Sequence, residues 1–304
     1  MTLPAAGDPA PPPAEPDDIW AIDIVCNFEF SDPDVVRPPW YTEFIGDKIG
    51  ANAAEITPQQ LLGKMDRAHV EHAFLLAEKA GSTSHRIHKR IPMASVARMV
   101  QAHPDRFSGL IGVDPTEGMA GLRELERAIS QEGFVGAHLY PHWFDMAPDH
   151  ARYYPIYAKC CELDVPLQMQ VGHCLRYSPQ RPLRSVGRPI TLDTIACDFP
   201  ELKLVGIHIG WPWTEEMISV AYKHPNVHIG SDAYAPAYWP TEFVRYIDSW
   251  GRQKVMFGTD FPVIEPERAI TEIAALGLRP ASRARFLRNN AIELYRLPLA
   301  PAHD

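Results

Sequence analysis

Five cysteines in 304 residues, at positions 26, 160, 161, 174 and 197, are too few and too irregularly spaced for a disulfide framework or a zinc finger, which points to a reducing cytoplasm. Basic residues are also scarce. Against 38 Asp and Glu stand 29 Lys and Arg, a net charge of -9, so no basic face exists to release counterions from nucleic acid or to dock on an anionic membrane. No apolar run is long enough to span a bilayer. Residues 1–18, MTLPAAGDPAPPPAEPDD, lack the cationic start and apolar core of a signal peptide and read as a flexible Pro-rich tail. These absences leave a cytoplasmic protein without nucleic-acid or membrane partners, acting on a small molecule. A homodimer is compatible with the sequence, and no feature requires one.

What is present is an apolar fraction of 46%, enough for a large core. From residue 19 onward short apolar runs alternate with helical patterns, the signature of repeated β/α units around a parallel sheet. Eight candidate strands can be counted, at 19–25, 72–77, 108–113, 134–139, 166–171, 202–207, 227–231 and from Lys254. The fold expected is therefore a (β/α)8 TIM barrel occupying 19–304 as one domain. Thr57-Pro58 opens a helix, with Thr as N-cap and Pro at the first helical position. The long stretch from Glu29 to Glu55, broken by Pro33, Pro38 and Pro39, reads as an irregular substrate loop.

In such a barrel the chemistry sits at the C-terminal strand ends. Asn27, His138, Gln170, His173, His208, Asp232 and Asp260 all fall at or just past an apolar run. Polar groups converging there must be paired, metal-bound or catalytic, because an unsatisfied buried polar group costs a few kcal/mol. Asp260 lies in KVMFGTDFP, where Gly258 lets the chain leave the last strand sharply; capping the helix that follows is its other reading.

The segments HPDRFSGLIGVDP, YYPIYAKCCELDVPLQMQVG, LKLVGIHIG, HPNVHIGSDAYAP, KVMFGTDFP and FLRNNAIELYRL together resemble the amidohydrolase-related group of TIM-barrel hydrolases and decarboxylases, across about 19–298. The resemblance implies one active site at the strand ends, a metal-activated water or substrate oxygen, a strand-six His and a strand-eight Asp. By match these are His208 and Asp260, the expected catalytic pair. The motifs QVGH and HIGWPW resemble a branch acting on coenzyme A esters.

Departures from the family pattern carry as much information. The family begins with Asp-x-His-x-His, whereas this chain reads Asp23-Ile-Val25-Cys-Asn27, and Gln170 stands where a strand-five His is expected. Val25 cannot ligate a cation, and Asn27 offers only an amide oxygen. Two outcomes stay open. One is a rebuilt, non-standard centre for iron, zinc or manganese, drawn from Asp23, Asn27, His138, His173, His208 and Asp260. The other is metal-free acid/base catalysis by His208 and Asp260.

The function expected is hydrolysis of an activated acyl carbonyl, an acyl-CoA thioester or a β-ketoacyl-CoA. Asp260 takes a proton from the attacking water and His208 stabilises the oxyanion. Gln170, Arg176 and Trp211 are the expected substrate contacts. Arg176, Arg181, Arg184 and Arg188 offer fork-like donors to CoA phosphates, and a solvated loop is their bland reading. Aromatics in the strand-end loops, among them Trp40, Tyr41, Phe44, Trp143, Trp211 and Tyr234, would build a bulky apolar acyl pocket. The alternatives are a non-oxidative decarboxylase of an aromatic or unsaturated acid, a lactone or amide hydrolase, and a barrel that has lost catalysis and only binds.

Overall fold

The computed structural model describes residues 19–50, 55–83, 88–175 and 182–302. The segment read as a tail, 1–18, lies outside them. Eight parallel strands, β1 (Ala21–Cys26), β2 (Val70–Ala77), β3 (Phe107–Gly112), β4 (Phe134–Leu139), β5 (Leu167–Gln170), β6 (Leu204–Ile207), β7 (Val227–Gly230) and β8 (Val255–Met256), pair in chain order. Ile24 N–H donates to the Phe257 carbonyl at 3.0 Å and Asp260 N–H to the Val25 carbonyl at 2.9 Å, so β8 returns to β1 and the barrel closes. This is the (β/α)8 fold that the alternation predicts, with strand limits within two residues of those read from sequence.

Local chemistry explains the helices. Thr57 Oγ1 accepts the Gln60 N–H and Gln60 Oε1 accepts the Thr57 N–H, a capping box ahead of Pro58–Arg67, whose Leu61 and Met65 are buried. In Gly118–Gln131 the buried Leu125 and Ala128 share a face with the partly buried Leu122 and Ile129. The segment expected to be an irregular loop instead contains short helical turns, Pro39–Glu43 and Phe44–Ile49. Pro38 and Pro39 explain the first: the ring fixes φ where a helix begins and its missing N–H would be unpaired anyway.

Residues two apart on the strands fill the barrel interior: Ile22 and Ile24, Phe74 and Leu76, Val205 and Ile207, with Leu110 and Met256. Gln168 and His138 are polar residues among the interior positions. Gln168 Nε2 donates to the Ile24 carbonyl at 2.8 Å and to the Tyr295 hydroxyl at 2.9 Å, leaving Oε1 as the acceptor for His138 Nδ1 at 3.0 Å. This network sets His138 as the Nδ1–H tautomer. Burial then pushes its pKa down to about 3, keeping the ring neutral.

Gln168→Leu keeps a similar volume but strips three buried partners. A loss of about 3 kcal/mol in urea unfolding is expected. A loss under about 0.5 kcal/mol would mean the interior network contributes nothing to stability.

Candidate active site at the barrel mouth

The last three strands end in backbone that L-residues rarely adopt. His208 (φ +68°) and Ile209 (+48°) follow β6, Ala233 (+69°) follows β7, and Asp260 (+55°) follows β8. For a β-branched residue such as Ile209 this is an outlier, and such strain gathers at functional sites. The turns bring three side chains together. His208 Nε2 lies 3.3 Å from Asp232 Oδ2 and 3.9 Å from Asp260 Oδ2. Asp232 Oδ1 accepts the His208 backbone N–H at 3.1 Å, tying the end of β6 to that of β7.

Electrostatics follow from burial. Asp232 is fully buried, and desolvation pushes its carboxyl up to about 7. Asp260 is held well above the carboxylate range, first by burial and then by the charge of Asp232, while a hydrogen bond from Asn27 pulls the other way. Burial lowers His208 to about 4, so its imidazole is neutral.

Above this cluster opens a pocket of about 870 Å³, counted to its open mouth. Trp40, Tyr41 and Phe44 from the segment after β1, Tyr140 and Trp143 after β4, and Tyr234 after β7 make it largely aromatic. Its wall near β2 is charged. Lys89 Nζ lies 2.7 Å from Glu78, 3.9 Å from Glu29 and 3.6 Å above the Tyr41 ring, while Arg37 pairs with Glu29 at 3.2 Å.

Of the residues singled out from sequence, His208 and Asp260 meet at the pocket floor. Asn27 joins them as a donor: its Nδ2 bonds Asp260 Oδ1 at 2.8 Å and the Phe261 carbonyl at 2.9 Å. Asp23 sits apart, its Oδ1 accepting N–H from Val25 at 3.1 Å and Thr259 at 3.0 Å and its Oδ2 the Thr259 hydroxyl. His138 faces the interior network. His173 is exposed at the rim, its Nδ1 2.8 Å from Ser185 Oγ. Gln170 lines the pocket, and Trp211 packs on Tyr234 with ring centroids 5.3 Å apart.

Arg176 and Arg181 lie outside the described residues. Arg184 is paired with Asp145 at 2.6 Å, and Arg188 with Glu216 at 2.5 Å while covering the Trp213 ring. Reasoning from sequence did not single out Glu29, Glu78 or Lys89. Glu78 carried a signal, since it directly follows the apolar run of β2; Lys89 carried none.

His208, Asp232 and Asp260 offer one ligand atom each within 4.8 Å of one another. Asp232 Oδ2 is buried without a hydrogen-bond partner. Lys89, the buried lysine of the pocket wall, is already paired with Glu78. Two carboxylates and one imidazole lacking a counter-charge fit a divalent cation, and the oxygen-rich set suits manganese or iron better than zinc. Strand one adds nothing to it, since Val25 is apolar and Asn27 turns its amide nitrogen toward Asp260. A second grouping, Asp193, Cys197 and His224, lies among the outer helices, where Asp193 already binds Lys223 and His224.

Comparison with known proteins fits this architecture. A curated 2-keto-4-carboxy-3-hexenedioate hydratase of Sphingobium sp. is 33% identical over 135 residues, which is 38% of this chain and 38% of that protein. An uncharacterised TIM-barrel protein of Bordetella bronchiseptica superposes with a TM-score of 0.76 at 24% identity, over 91% of this chain and 98% of its own. A dihydroxybenzoic acid decarboxylase of Polaromonas sp., solved with bound manganese and the inhibitor 2-nitroresorcinol, superposes with a TM-score of 0.65 at 17% identity, over 93% and 98%. At these identities the two structures establish the shared fold. The profile of the family described as amidohydrolase matches residues 22–297, nearly the whole barrel, and the chain belongs to that family.

Proposed function

We propose that the chain is a non-oxidative decarboxylase of a small aromatic or unsaturated carboxylic acid. The observation that carries this reading is the Asp232–His208–Asp260 cluster at the floor of an aromatic-walled pocket. Decarboxylation of such an acid requires a proton delivered to carbon, and a carboxyl whose proton affinity is raised by burial is a ready donor. Asp260 is that group, lining the pocket with its carboxyl oriented by Asn27. A hydratase and a decarboxylase among the relatives are in keeping with this chemistry.

The acyl-CoA reading has less behind it. None of the relatives above is described as a thioesterase, and of the four arginines assigned to CoA phosphates, Arg184 and Arg188 are engaged with Asp145 and Glu216. The one lysine lining the pocket among the described residues, Lys89, is already paired with Glu78, a poor match to a polyphosphate.

His208, Asp232 and Asp260 would hold a divalent cation, and manganese in the Polaromonas structure favours that metal here. Bound there, a cation would grip the substrate carboxylate and a neighbouring oxygen. The chain itself supplies the rest: an Asp260 carboxyl oxygen, held by Asn27 and left free of the cation, to pass a proton to carbon, a neutral His208 able to ligate, and aromatic walls that exclude water from the ring or chain of the substrate.

Purified protein loaded with Mn²⁺ should release CO2 from members of a panel of hydroxybenzoic and unsaturated acids. Asp260→Asn should lower kcat by about 10²- to 10⁴-fold. No CO2 from any acid, with manganese bound stoichiometrically, sinks the reading.

A second expectation concerns pH. Without a cation the Asp232 carboxyl is raised from 3.8 to about 7, so its contribution to stability is present below about pH 4 and is lost as pH rises through about 7. A cation that takes the place of the proton should therefore raise the melting temperature more near pH 8 than near pH 5. Equal shifts at both, or none, would remove the cation from this cluster.

A further inference from the structure

One buried group at the pocket has no task in the scheme above. Tyr140, just past β4, is 5% exposed and lines the pocket, yet its hydroxyl has no hydrogen-bond partner among the described residues. Such an orphan is uncommon and calls for a cause, because a buried hydroxyl without a partner gives up its bonds to water and gains nothing in return.

The ring is well braced. It packs on His138 with centroids 4.4 Å apart, and His138 is held through Gln168 to the Ile24 carbonyl and to Tyr295. The hydroxyl is thus fixed in place by a chain of contacts running across the barrel interior. It lies within electrostatic reach of Glu78, Asp260 and Asp232, and burial with these charges keeps it an un-ionised phenol, a donor. A preorganised O–H beside the reacting groups, with no acceptor among the described residues, is the arrangement used to hold charge on a substrate oxygen.

From this geometry we infer that Tyr140 is a catalytic residue that donates a hydrogen bond to a substrate oxygen conjugated with the carboxyl-bearing carbon. This rests on the decarboxylase reading and narrows it to acids that carry such an oxygen, either hydroxyaromatic acids or enolised oxo acids. The step balances. The substrate enters with that oxygen ionised, and a proton drawn from solvent passes to the carboxyl-bearing carbon, converting the oxygen to a carbonyl. The bond from this carbon to the carboxylate then breaks and CO2 leaves. Its electron pair re-forms the carbon–carbon double bond, and the carbonyl π pair returns to oxygen as a phenolate or enolate. Tyr140 O–H meets that charge.

Tyr140→Phe removes only the hydroxyl and tests the inference three ways. Because that hydroxyl has no partner, thermal stability should be unchanged or slightly higher; a fall in melting temperature would make it a structural group and overturn the assignment. With acids bearing the conjugated oxygen, kcat should fall about 10- to 100-fold. Independently of turnover, 4-nitrophenol reports its own ionisation by absorbance. Wild type should lower its apparent pKa on binding and hold it about tenfold more tightly than Tyr140→Phe does. If no acid releases CO2 but nitrophenol binding depends on Tyr140, the oxygen subsite stands and the decarboxylase reading falls. If Tyr140→Phe decarboxylates and binds nitrophenol as wild type does, the subsite falls and the decarboxylase reading stands.

Discussion

Where the first and last strands meet, one buried carboxylate holds the barrel shut. Asp23 is 2% exposed and accepts N–H from Val25 and Thr259 and the Thr259 hydroxyl. β8 is only two residues long, so its ladder alone cannot close a sheet. The clasp extends it: with Thr259 fixed, Asp260 N–H reaches the Val25 carbonyl and Asn27 N–H the Phe261 carbonyl at 3.0 Å. Burial raises Asp23 to about 7 while the three donors oppose the shift, which shows how much desolvation the seam absorbs. Asp260 takes its place in the site from this seam. Its left-handed backbone is tolerated because both neighbouring residues are already tied to strand one.

Much of the fold could be read from sequence because its signals are local. A buried parallel strand is a short apolar run, and a helix start is a Thr-Pro pair with a Gln three positions on; both are visible without knowing what lies opposite. His208 and Asp260 could be read for the same reason, since each follows its strand directly. Side-chain direction and partnership could not. Asp23 and His138 have the residue types of ligands and sit on the right strands, but Asp23 is engaged by Thr259, 236 positions away, and His138 by Gln168, whose own partner Ile24 is 144 away. Strand polarity says that a residue is on a strand. Only the register of the closed barrel says whether it reaches the mouth or the interior.

The aromatic loop residues show the same limit. Trp40, Trp143 and Tyr234 do line one pocket, as their density in strand-end segments implied, whereas Trp211 is 37% exposed and packs on the Tyr234 ring. The wall formed by Glu29, Glu78 and Lys89 went unseen because it depends on residues from three separate segments meeting over Tyr41. No single segment carries enough charge to stand out.

Two buried charged clusters border the pocket, and they differ in how their charge is matched. Around Lys89, two carboxylates are matched by two cations, Lys89 and Arg37, so the wall is neutralised by the chain itself and behaves as structure. Around His208, two carboxylates have only a neutral imidazole, and burial raises the proton affinity of both. Apolar residues in place of such a pair would make a more stable barrel, since unmatched buried charge is destabilising. Their presence at the strand ends, below an open pocket, fits a site in which something that enters the pocket supplies what the protein leaves out: a cation, a substrate that takes the proton, or both in turn. The proton and the cation compete for the same oxygens, so a single buried cluster can serve as acid when one is present and as anchor when the other is.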